Sequence, residues 1–358
     1  MSAPHTIIIA EAGVNHDGSL SRALELVDHA AAAGADFVKF QTFDAAKLAS
    51  ARAPMADYQV RNGERGEGQL EMLRRLQLSH ADHHALIDRC KRNGIRFLSS
   101  PFDEASLDFL IDDLGLGEIK LGSGELTNAP LIYAAARRDV ELILSTGMAT
   151  LGEIEEALGV IALARLDPDA TPGQDAFRAA LARPEAHEAL RLRVTLLHCT
   201  TEYPAPDGET NLRAMDTLRA AFDLPVGFSD HTMGITISLA AVARGAVAIE
   251  KHFTISRDLP GPDHAASLEP AELTELVRQI RRIETALGSG VKQPGASELR
   301  NRDVARKSVV ATRDLPAGTV LTLEDLGVKR PGGGTSPMML WDLIGTRTIR
   351  DIARDEPL

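Results

Sequence analysis

The feature that most constrains the fold is an alternation of two kinds of segment that runs through most of the chain. Short apolar runs, many of them β-branched, are separated by longer stretches in which apolar residues recur every three to four positions. The clearest stretch, 271–287, has Leu273, Leu276 and Ile280 on one stripe and is followed by Gly288, a residue that commonly ends a helix. The alternation predicts strands joined by helices, and such strands pair in parallel because each connecting helix covers the sheet.

Eight of the short runs are predicted to be strands. They comprise residues 6–10, 36–40, 95–98, 118–121, 141–144, 194–197, 225–228 and 246–250. Eight strands within about 285 residues is the number and size expected of a (β/α)8 TIM barrel, which is the predicted fold of residues 1–288. An open, doubly wound sheet is the alternative, and it is disfavoured because no GxGxxG motif follows the first run.

Three segments depart from this rhythm. Residues 166–190, rich in Pro, Asp and Ala, precede the sixth strand and are predicted to be an insertion on the N-terminal face of the barrel, with no catalytic role. Residues 289–304 contain Gly, Pro and Ser and are predicted to be a linker. Residues 305–358 hold β-like runs at 308–311 and 319–321 and are predicted to form a small β-rich domain that packs on the barrel or on a second copy of it.

Composition narrows the classes of function. The chain has 39 Lys and Arg against 51 Asp and Glu, a net charge of −12 that argues against a nucleic-acid partner. Cys90 and Cys199 form no CxxC pair, and the first apolar run is too short for a signal peptide or a membrane span. We therefore expect a reduced, cytoplasmic protein without a membrane partner.

Polar or ionisable residues end or follow all eight predicted strands. They are Glu11, Asn15 and His16; Lys39 and Gln41; Ser99 and Ser100; Lys120, Ser123 and Glu125; Ser145 and Thr146; His198 and Thr200; Ser229, Asp230 and His231; and Glu250, Lys251 and His252. Active-site groups of TIM barrels come from these C-terminal strand ends, so the pattern predicts one polar site at the mouth of the barrel.

Two groupings within this set suggest chemistry. Lys39 and Lys120, together with nearby serine hydroxyls, form a candidate cradle for an anion, although the same lysines are equally compatible with salt bridges inside the barrel. His231 and His252 follow neighbouring strands and are candidate ligands of one divalent ion, the alternative being that each only forms hydrogen bonds.

Cys199 is expected to pack as a small apolar group. The other histidines on predicted helices or loops are expected to be exposed to solvent: His29, His80, His83, His84 and His187.

Eight segments resemble the sialic acid synthase family in sequence and in order. They are 10–16 (AEAGVNH), 37–43 (FVKFQTF), 145–148 (STGM), 198–204 (HCTTEYP), 227–232 (GFSDHT), 250–254 (EKHFT), 261–264 (GPDH) and 329–332 (KRPG). The resemblance extends from the first strand to the end of the chain and departs mainly at 166–190. It implies a TIM barrel (1–288), a linker (289–304) and a SAF domain (305–358) similar to type III antifreeze proteins, assembled as a domain-swapped homodimer.

The resemblance also implies a reaction. A transferase of this family would condense phosphoenolpyruvate with N-acetylmannosamine, or a closely related 2-acetamido mannose-type sugar, and water to give N-acetylneuraminate and phosphate. The alternative substrate within the family is 2,4-diacetamido-2,4,6-trideoxymannose, which gives N,N'-diacetyllegionaminate, and the sequence does not decide between the two. A catalytically silent sugar-binding barrel and an aldolase with a Schiff base at Lys120 are more distant alternatives.

Individual residues acquire roles from the same resemblance. His231 and His252 would hold Mn²⁺, with Mg²⁺ or Co²⁺ as alternatives, as a Lewis acid for the aldehyde of the sugar. Glu11 would act as a general base or would position the water or a sugar hydroxyl. The implied contacts with phosphoenolpyruvate come from Lys39, Ser100, Lys120, Ser123, Ser145 and Ser229, and those with the sugar from Gln41, Tyr203, Asp263 and Arg330 of the partner subunit.

Overall fold

The computed structural model describes residues 5–50, 52–55 and 68–358. The chain divides into two compact units, Met1–Ser289 and Gly290–Leu358. The first unit contains a large parallel sheet and the second a small antiparallel one. No helix in the described ranges is long and apolar enough to span a membrane.

Eight parallel strands form the sheet of the first unit. They are β1 (Ile7–Gly13), β2 (Phe37–Thr42), β3 (Arg96–Pro101), β4 (Glu118–Leu121), β5 (Glu141–Ser145), β6 (Val194–Cys199), β7 (Val226–Asp230) and β8 (Ala248–His252). Neighbours follow the order β3-β2-β1-β8-β7-β6-β5-β4, and β3 and β4 at the two ends of this order lie beside each other. The sheet therefore closes on itself, and the predicted (β/α)8 barrel is confirmed.

Most strands extend further than predicted. Seven of the eight end one to three residues beyond the predicted limit, and only β4 ends where expected. The polar residues that follow the apolar runs stay in the sheet: Glu11 pairs with Lys39 on one side and with His252 on the other. A strand is expected to end at its first polar residues only where these face solvent, and here they are buried, either inside the barrel or under the covering helices.

Helices cover the outer face of the sheet. They are α1 (Leu20–Ala33), α2 (Ala45–Leu48), α3 (Gln69–Leu76), α4 (His80–Asn93), α5 (Glu104–Asp108), α6 (Ala129–Ala136), α7 (Leu151–Leu166), α8 (Gln174–Leu181), α9 (Pro184–Arg191), α10 (Ala214–Phe222), α11 (Thr236–Ala243) and α12 (Pro270–Leu287). The main apolar core lies between these helices and the sheet and includes Leu26, Phe40, Leu86 and Ile249. As predicted, Gly288 follows α12, the last helix of the first unit, with a φ of 60° that favours glycine.

Polar contacts at the N-terminal end of the barrel join its first strand to its last helix. The backbone N–H of Thr6 donates to Glu284 Oε1 at 2.6 Å. Arg281 donates to the carbonyl of Thr6 at 2.9 Å and to Asp36 Oδ2 at 3.0 Å. Because these residues lie at the end opposite to the strand termini that carry the polar site, they contribute to the fold and not to chemistry.

The predicted insertion, 166–190, is mostly helical. It contains α8 and most of α9, and these helices pack on α7 through a small apolar cluster that includes Ala162, Leu163, Ala180 and Ala186. Pro184 lies at the start of α9, where its missing N–H costs nothing. The prolines of this insertion therefore lie at the start of a helix or in the turns that join these helices.

The second unit is small and has its own core. Helix α13 (Ala296–Ala305) occupies much of the segment predicted as a linker. Strands β9 (Ser308–Ala311) and β10 (Leu326–Lys329) pair antiparallel, and α14 (Leu340–Leu343) follows. The run 308–311 is thus a strand as predicted, whereas 319–321 contributes only an isolated bridge through Val320. The core is formed by Val309, Ala311, Leu315, Leu321, Leu326 and Ile352.

Candidate active site

The interior of the barrel is built in two layers. An apolar layer is formed by Ile9, Phe37, Leu98, Ile143, Leu197 and Ala248. Side chains two residues apart on a strand point to the same face. The positions two residues further along the same six strands are Glu11, Lys39, Ser100, Ser145, Cys199 and Glu250. The predicted polar site therefore lies directly on the apolar layer, at the C-terminal ends of the strands.

The charged residues of this polar layer form one buried network. Lys39 Nζ lies 2.7 Å from Glu11 Oε2 and 3.5 Å from Glu250 Oε2. Lys120 Nζ lies 3.2 Å from Glu250 Oε1, which also accepts a hydrogen bond from Ser229 at 2.7 Å. Both lysines thus form salt bridges inside the barrel, which is the alternative to an anion cradle that the sequence left open. Two ammonium groups face two carboxylates, and this balance offsets the cost of burying four ionisable side chains.

The two carboxylates differ in their electrostatic surroundings. Burial raises the pKa of Glu11, and the nearby charge of Glu250 adds to the increase while Lys39 opposes it. Burial acts in the same direction on Glu250, but Lys120 and Lys39 outweigh it and lower the pKa of that carboxyl. Burial opposes the charge of Lys39, and Glu11 and Glu250 overcome it, so the pKa of Lys39 is raised. Glu250 is therefore a fixed counter-ion, and Glu11 is the carboxyl of the two that takes up a proton more readily.

Hydroxyl groups line the part of the layer next to Lys120. Ser123 Oγ accepts a hydrogen bond from the backbone N–H of Gly147 at 3.1 Å and lies 3.1 Å from Cys199 Sγ. The hydroxyls of Ser145 and Thr201 are buried and make no hydrogen bond with any described residue. A side chain at Gly147 would collide with Thr201 and would lie 2.7 Å from Ser123 Oγ. The glycine therefore lets these side chains approach its backbone closely.

His231 and His252 lie together at the end of β7 and β8. Their ring centroids are 5.5 Å apart. His231 Nδ1 lies 2.6 Å from the carbonyl of Thr200, which can only accept, so Nδ1 carries the proton and Nε2 keeps its lone pair. Burial lowers the pKa of His231 to about 4 and lowers that of His252 well below its ordinary value, and the neighbouring His231 adds to the effect on His252. Both rings are therefore neutral, as metal ligands must be.

These two residues fit a divalent ion as a pair of ligands. His252 Nδ1 is buried, lies 3.8 Å from Asp263 Oδ2 and makes no hydrogen bond with a described residue. No group of three or more His, Cys, Asp or Glu side chains suited to a metal occurs in the described ranges. An ion held here would have two protein ligands and would complete its shell with water and substrate oxygens.

The residues predicted to contact a sugar surround the histidines in part. The ring of Tyr203 packs on His231 with centroids 4.1 Å apart and meets the edge of His252 at 5.4 Å. Burial raises the pKa of Asp263 to about 7, with a further increase from Glu11. Gln41 lies on β2, two residues beyond Lys39 on the same face. Arg330 belongs to the second unit, where it is exposed, and its role at this site stays a prediction.

Two side chains differ from expectation. The predicted polar strand ends include Glu250, but the predicted site residues do not, although Glu250 contacts both lysines. Its position, two residues from both Ala248 and His252, is the signal in the sequence that places it in the site. The prediction that His83 is exposed is wrong. It is buried, with Nε2 2.8 Å from Thr42 Oγ1 and Nδ1 2.8 Å from the carbonyl of Ser79.

Cys199 is buried as expected. Burial raises the pKa of its thiol, which disfavours the thiolate that a nucleophile requires. Its contact with Ser123 places it in the wall of the site.

Comparison with known proteins gives consistent similarities over both units. The NeuB family model matches residues 26–292, and the SAF domain model matches residues 306–358. An N,N'-diacetyllegionaminic acid synthase of Campylobacter jejuni is 47% identical over 351 residues, which cover 98% of each chain. The Legionella pneumophila protein of the same name is 44% identical over 346 residues, 97% of this chain and 91% of that relative. A crystal structure of N-acetylneuraminic acid (sialic acid) synthetase from Leptospira borgpetersenii, in complex with citrate, has a TM-score of 0.65 and 34% identity, covering 83% of this chain and 90% of that one.

Proposed function

This chain belongs to the NeuB family and carries a SAF domain, and we propose that it condenses phosphoenolpyruvate with 2,4-diacetamido-2,4,6-trideoxymannose and water to give N,N'-diacetyllegionaminate and phosphate. Of the two sugars that the sequence left open, this one is supported by the two relatives named above, both N,N'-diacetyllegionaminic acid synthases. N-acetylmannosamine, the first of the two, becomes an arm of the test.

The observation that carries the proposal is the buried, charge-balanced cluster of two lysines and two glutamates next to a pair of neutral histidines. Phosphoenolpyruvate carries a phosphate and a carboxylate, and Lys39 and Lys120 can pair with them, while Glu11 and Glu250 balance the two ammonium groups when no anion is bound. The hydroxyls of Ser145 and Thr201, which lack a described partner, can donate to the same anion. A binding protein for a neutral sugar alone has no need of such a cluster.

The bond changes balance with the groups available. C3 of phosphoenolpyruvate bonds to the aldehyde carbon of the open-chain sugar, and the aldehyde oxygen takes a proton to become a hydroxyl. Water adds at C2 and releases a proton. In the tetrahedral intermediate the C2–O bond to phosphate then breaks, and the C2 hydroxyl gives up its proton to the departing phosphate and becomes the ketone oxygen. A divalent ion bound by His231 and His252 would supply Lewis-acid activation of the aldehyde.

Glu11 is the group we assign to proton transfer. Its pKa is raised by burial, which favours uptake of a proton, while Lys39 at 2.7 Å keeps its carboxylate form accessible. Asp263, with a pKa of about 7, can donate to or accept from a sugar hydroxyl. Tyr203 packs against His231 and would cover one side of the bound sugar.

The experiment is phosphate release from phosphoenolpyruvate with Mn²⁺, run in parallel with the diacetamido-trideoxy sugar and with N-acetylmannosamine. We expect release with the first sugar and a much lower kcat/KM with the second, with EDTA abolishing both. Preference for N-acetylmannosamine would keep the reaction class and overturn the choice of sugar.

Absence of release with either sugar would contradict the synthase assignment. Treatment with pyruvate and borohydride serves as the control for Schiff-base chemistry, and we expect Lys120 to remain unmodified.

A further inference from the structure

A buried ion pair that the mechanism above does not use lies on the outer face of β7 and β8. Lys251 Nζ is 3.0 Å from Asp230 Oδ2, and both side chains are almost fully buried. These residues are register partners and form the last pair of the ladder between β7 and β8. His231 directly follows Asp230, and His252 directly follows Lys251. The ion pair is therefore the last link between the two segments before the histidines.

Both members of the pair also hold the backbone beyond His231. Asp230 Oδ1 accepts hydrogen bonds from the N–H of Thr232 at 2.8 Å and from its hydroxyl at 2.7 Å. The ammonium of Lys251 donates to the carbonyl of Thr232. His231 lies between Asp230 and Thr232, so its backbone is fixed on both sides by one buried network.

Helix α11 completes the network from outside the sheet. Ser238 Oγ donates to Asp230 Oδ2 at 2.5 Å, and Ser238 is itself fully buried. Alternation along the strands directs Asp230 and Lys251 outward, whereas Ser229, Glu250 and the two histidines face the barrel interior. The pair thus has no path to substrate, and any effect it has on chemistry must act through the positions of the histidines.

We propose that Asp230 and Lys251 are positioning residues that set the separation and relative angle of the imidazoles of His231 and His252. The rings stand 5.5 Å apart with an interplanar angle of 64°. Affinity for a divalent ion then depends on an ion pair that does not touch the ion. Partners outside the ligand shell typically change metal affinity by about 10–100-fold when they are replaced. This inference rests on the metal site of the proposed function.

The test is the full-length double variant Asp230→Asn/Lys251→Met. It removes both charges together, because removing one would leave the other buried without a partner. Asn keeps an oxygen that can accept from the N–H of Thr232, but the link to β8 and the bond from Lys251 to the Thr232 carbonyl are lost. We expect the Kd for Mn²⁺, measured by calorimetry, to rise about 10- to 100-fold. The visible spectrum of the Co²⁺-loaded protein should change as well, since it reports ligand geometry.

A matched control separates positioning from general loss of stability. Asp36→Asn/Arg281→Met removes an ion pair of the same length, Arg281 Nη2 to Asp36 Oδ2 at 3.0 Å, between partly buried side chains at the opposite end of the barrel. We expect this control to lower the melting temperature while leaving the Kd for Mn²⁺ and the Co²⁺ spectrum unchanged. Should the first double variant fail to fold, Ser238→Ala removes only the donor from α11 and should give a smaller rise in Kd with the same direction of spectral change.

The outcomes are distinct. A folded Asp230→Asn/Lys251→Met variant with the Kd and spectrum of the wild type would overturn the positioning role and leave the metal site intact. An equal rise in Kd in the Asp36→Asn/Arg281→Met control would overturn it too, because the effect would then follow from stability. Failure of the wild type to bind Mn²⁺ or Co²⁺ would overturn the metal site and the positioning role together.

Discussion

Replacement of Glu250 by Gln tests whether Glu250 and a bound anion compete for Lys120 in the polar layer. Glu250 contacts Lys120 at 3.2 Å and Lys39 at 3.5 Å. Lys39 keeps Glu11 as a second partner, whereas the salt bridge between Lys120 and Glu250 is the one described for Lys120. The substitution keeps the shape of the side chain and removes its charge, so Lys120 bears most of the loss.

The distances give the size of the effect. At an effective dielectric constant of about 20, a pair of unit charges at these separations attracts by roughly 5 kcal/mol before desolvation is counted. Breaking a buried pair by removing one partner costs about 3–5 kcal/mol in unfolding free energy. We take about 3 kcal/mol for E250Q, because the amide of Gln can still accept from Ser229. A loss of this size lowers the melting temperature by roughly 4–5 °C in a chain of this length.

The assay is thermal unfolding with and without phosphoenolpyruvate. In the wild type, the incoming anion must compete with Glu250 for Lys120. In E250Q that ammonium has lost its carboxylate, so the anion binds more tightly and stabilises more, by RT ln(1 + [L]/Kd). We expect a lower melting temperature without ligand and a larger upward shift with phosphoenolpyruvate than in the wild type.

A second glutamate of the barrel provides the control. Glu284 is buried, accepts from the N–H of Thr6 and pairs with Arg281 at 2.7 Å, but it lies at the other end of the barrel. E284Q should lower the melting temperature and leave the shift caused by phosphoenolpyruvate unchanged. A shift in E250Q equal to or smaller than that of the wild type would refute the cradle, since it would mean that Glu250 and the ligand do not share Lys120.

Three further changes test other parts of the site. His231→Ala should abolish both phosphate release and Mn²⁺ binding with little change in melting temperature, and turnover at the wild-type rate after removal of metal would contradict the role of the ion. Gly147→Ala places a methyl group 2.7 Å from Ser123 Oγ and against Thr201, so the KM for phosphoenolpyruvate should rise about tenfold, the equivalent of one charge-assisted hydrogen bond. Arg330→Ala should raise the KM for the sugar and leave that for phosphoenolpyruvate unchanged, and sedimentation velocity should give a dimer; an active monomer would contradict the partner role of Arg330.

The sequence was sufficient to predict the barrel because the signal for it is repeated eight times. Each apolar run and each amphipathic stretch is ambiguous alone, but their regular alternation leaves few folds. The same regularity extends into the site: the step of two residues from Ile9 to Glu11, or from Phe37 to Lys39, places a polar group on an apolar layer. Applied to β8, this step would have assigned Glu250 to the site from Ala248 alone.

Contacts between distant segments could not be predicted in this way. His83 was expected to be exposed because it lies on a polar helix, yet its partner Thr42 comes from β2, 41 residues earlier. His83 belongs to the buried stripe of α4 together with Leu86, Ile87 and Cys90, so the helical spacing itself indicates burial. Only the partner, Thr42, lies beyond what that spacing can show. The predicted strand ends are too early for a related reason. A polar residue indicates exposure to solvent only where no other part of the protein covers it.

The strand ends of β7 and β8 explain how one short segment can serve both stability and chemistry. Residues 229–231 read Ser-Asp-His and residues 250–252 read Glu-Lys-His. In each triplet the first and third side chains face the barrel interior and the middle one faces the helices, because the strand alternates. The inner residues supply the charge balance and the neutral imidazoles, and the outer pair holds the two segments in register. Polar residues that occur consecutively at a strand end are therefore not redundant, and exchanging the middle residue should impair the site without altering any group that contacts substrate.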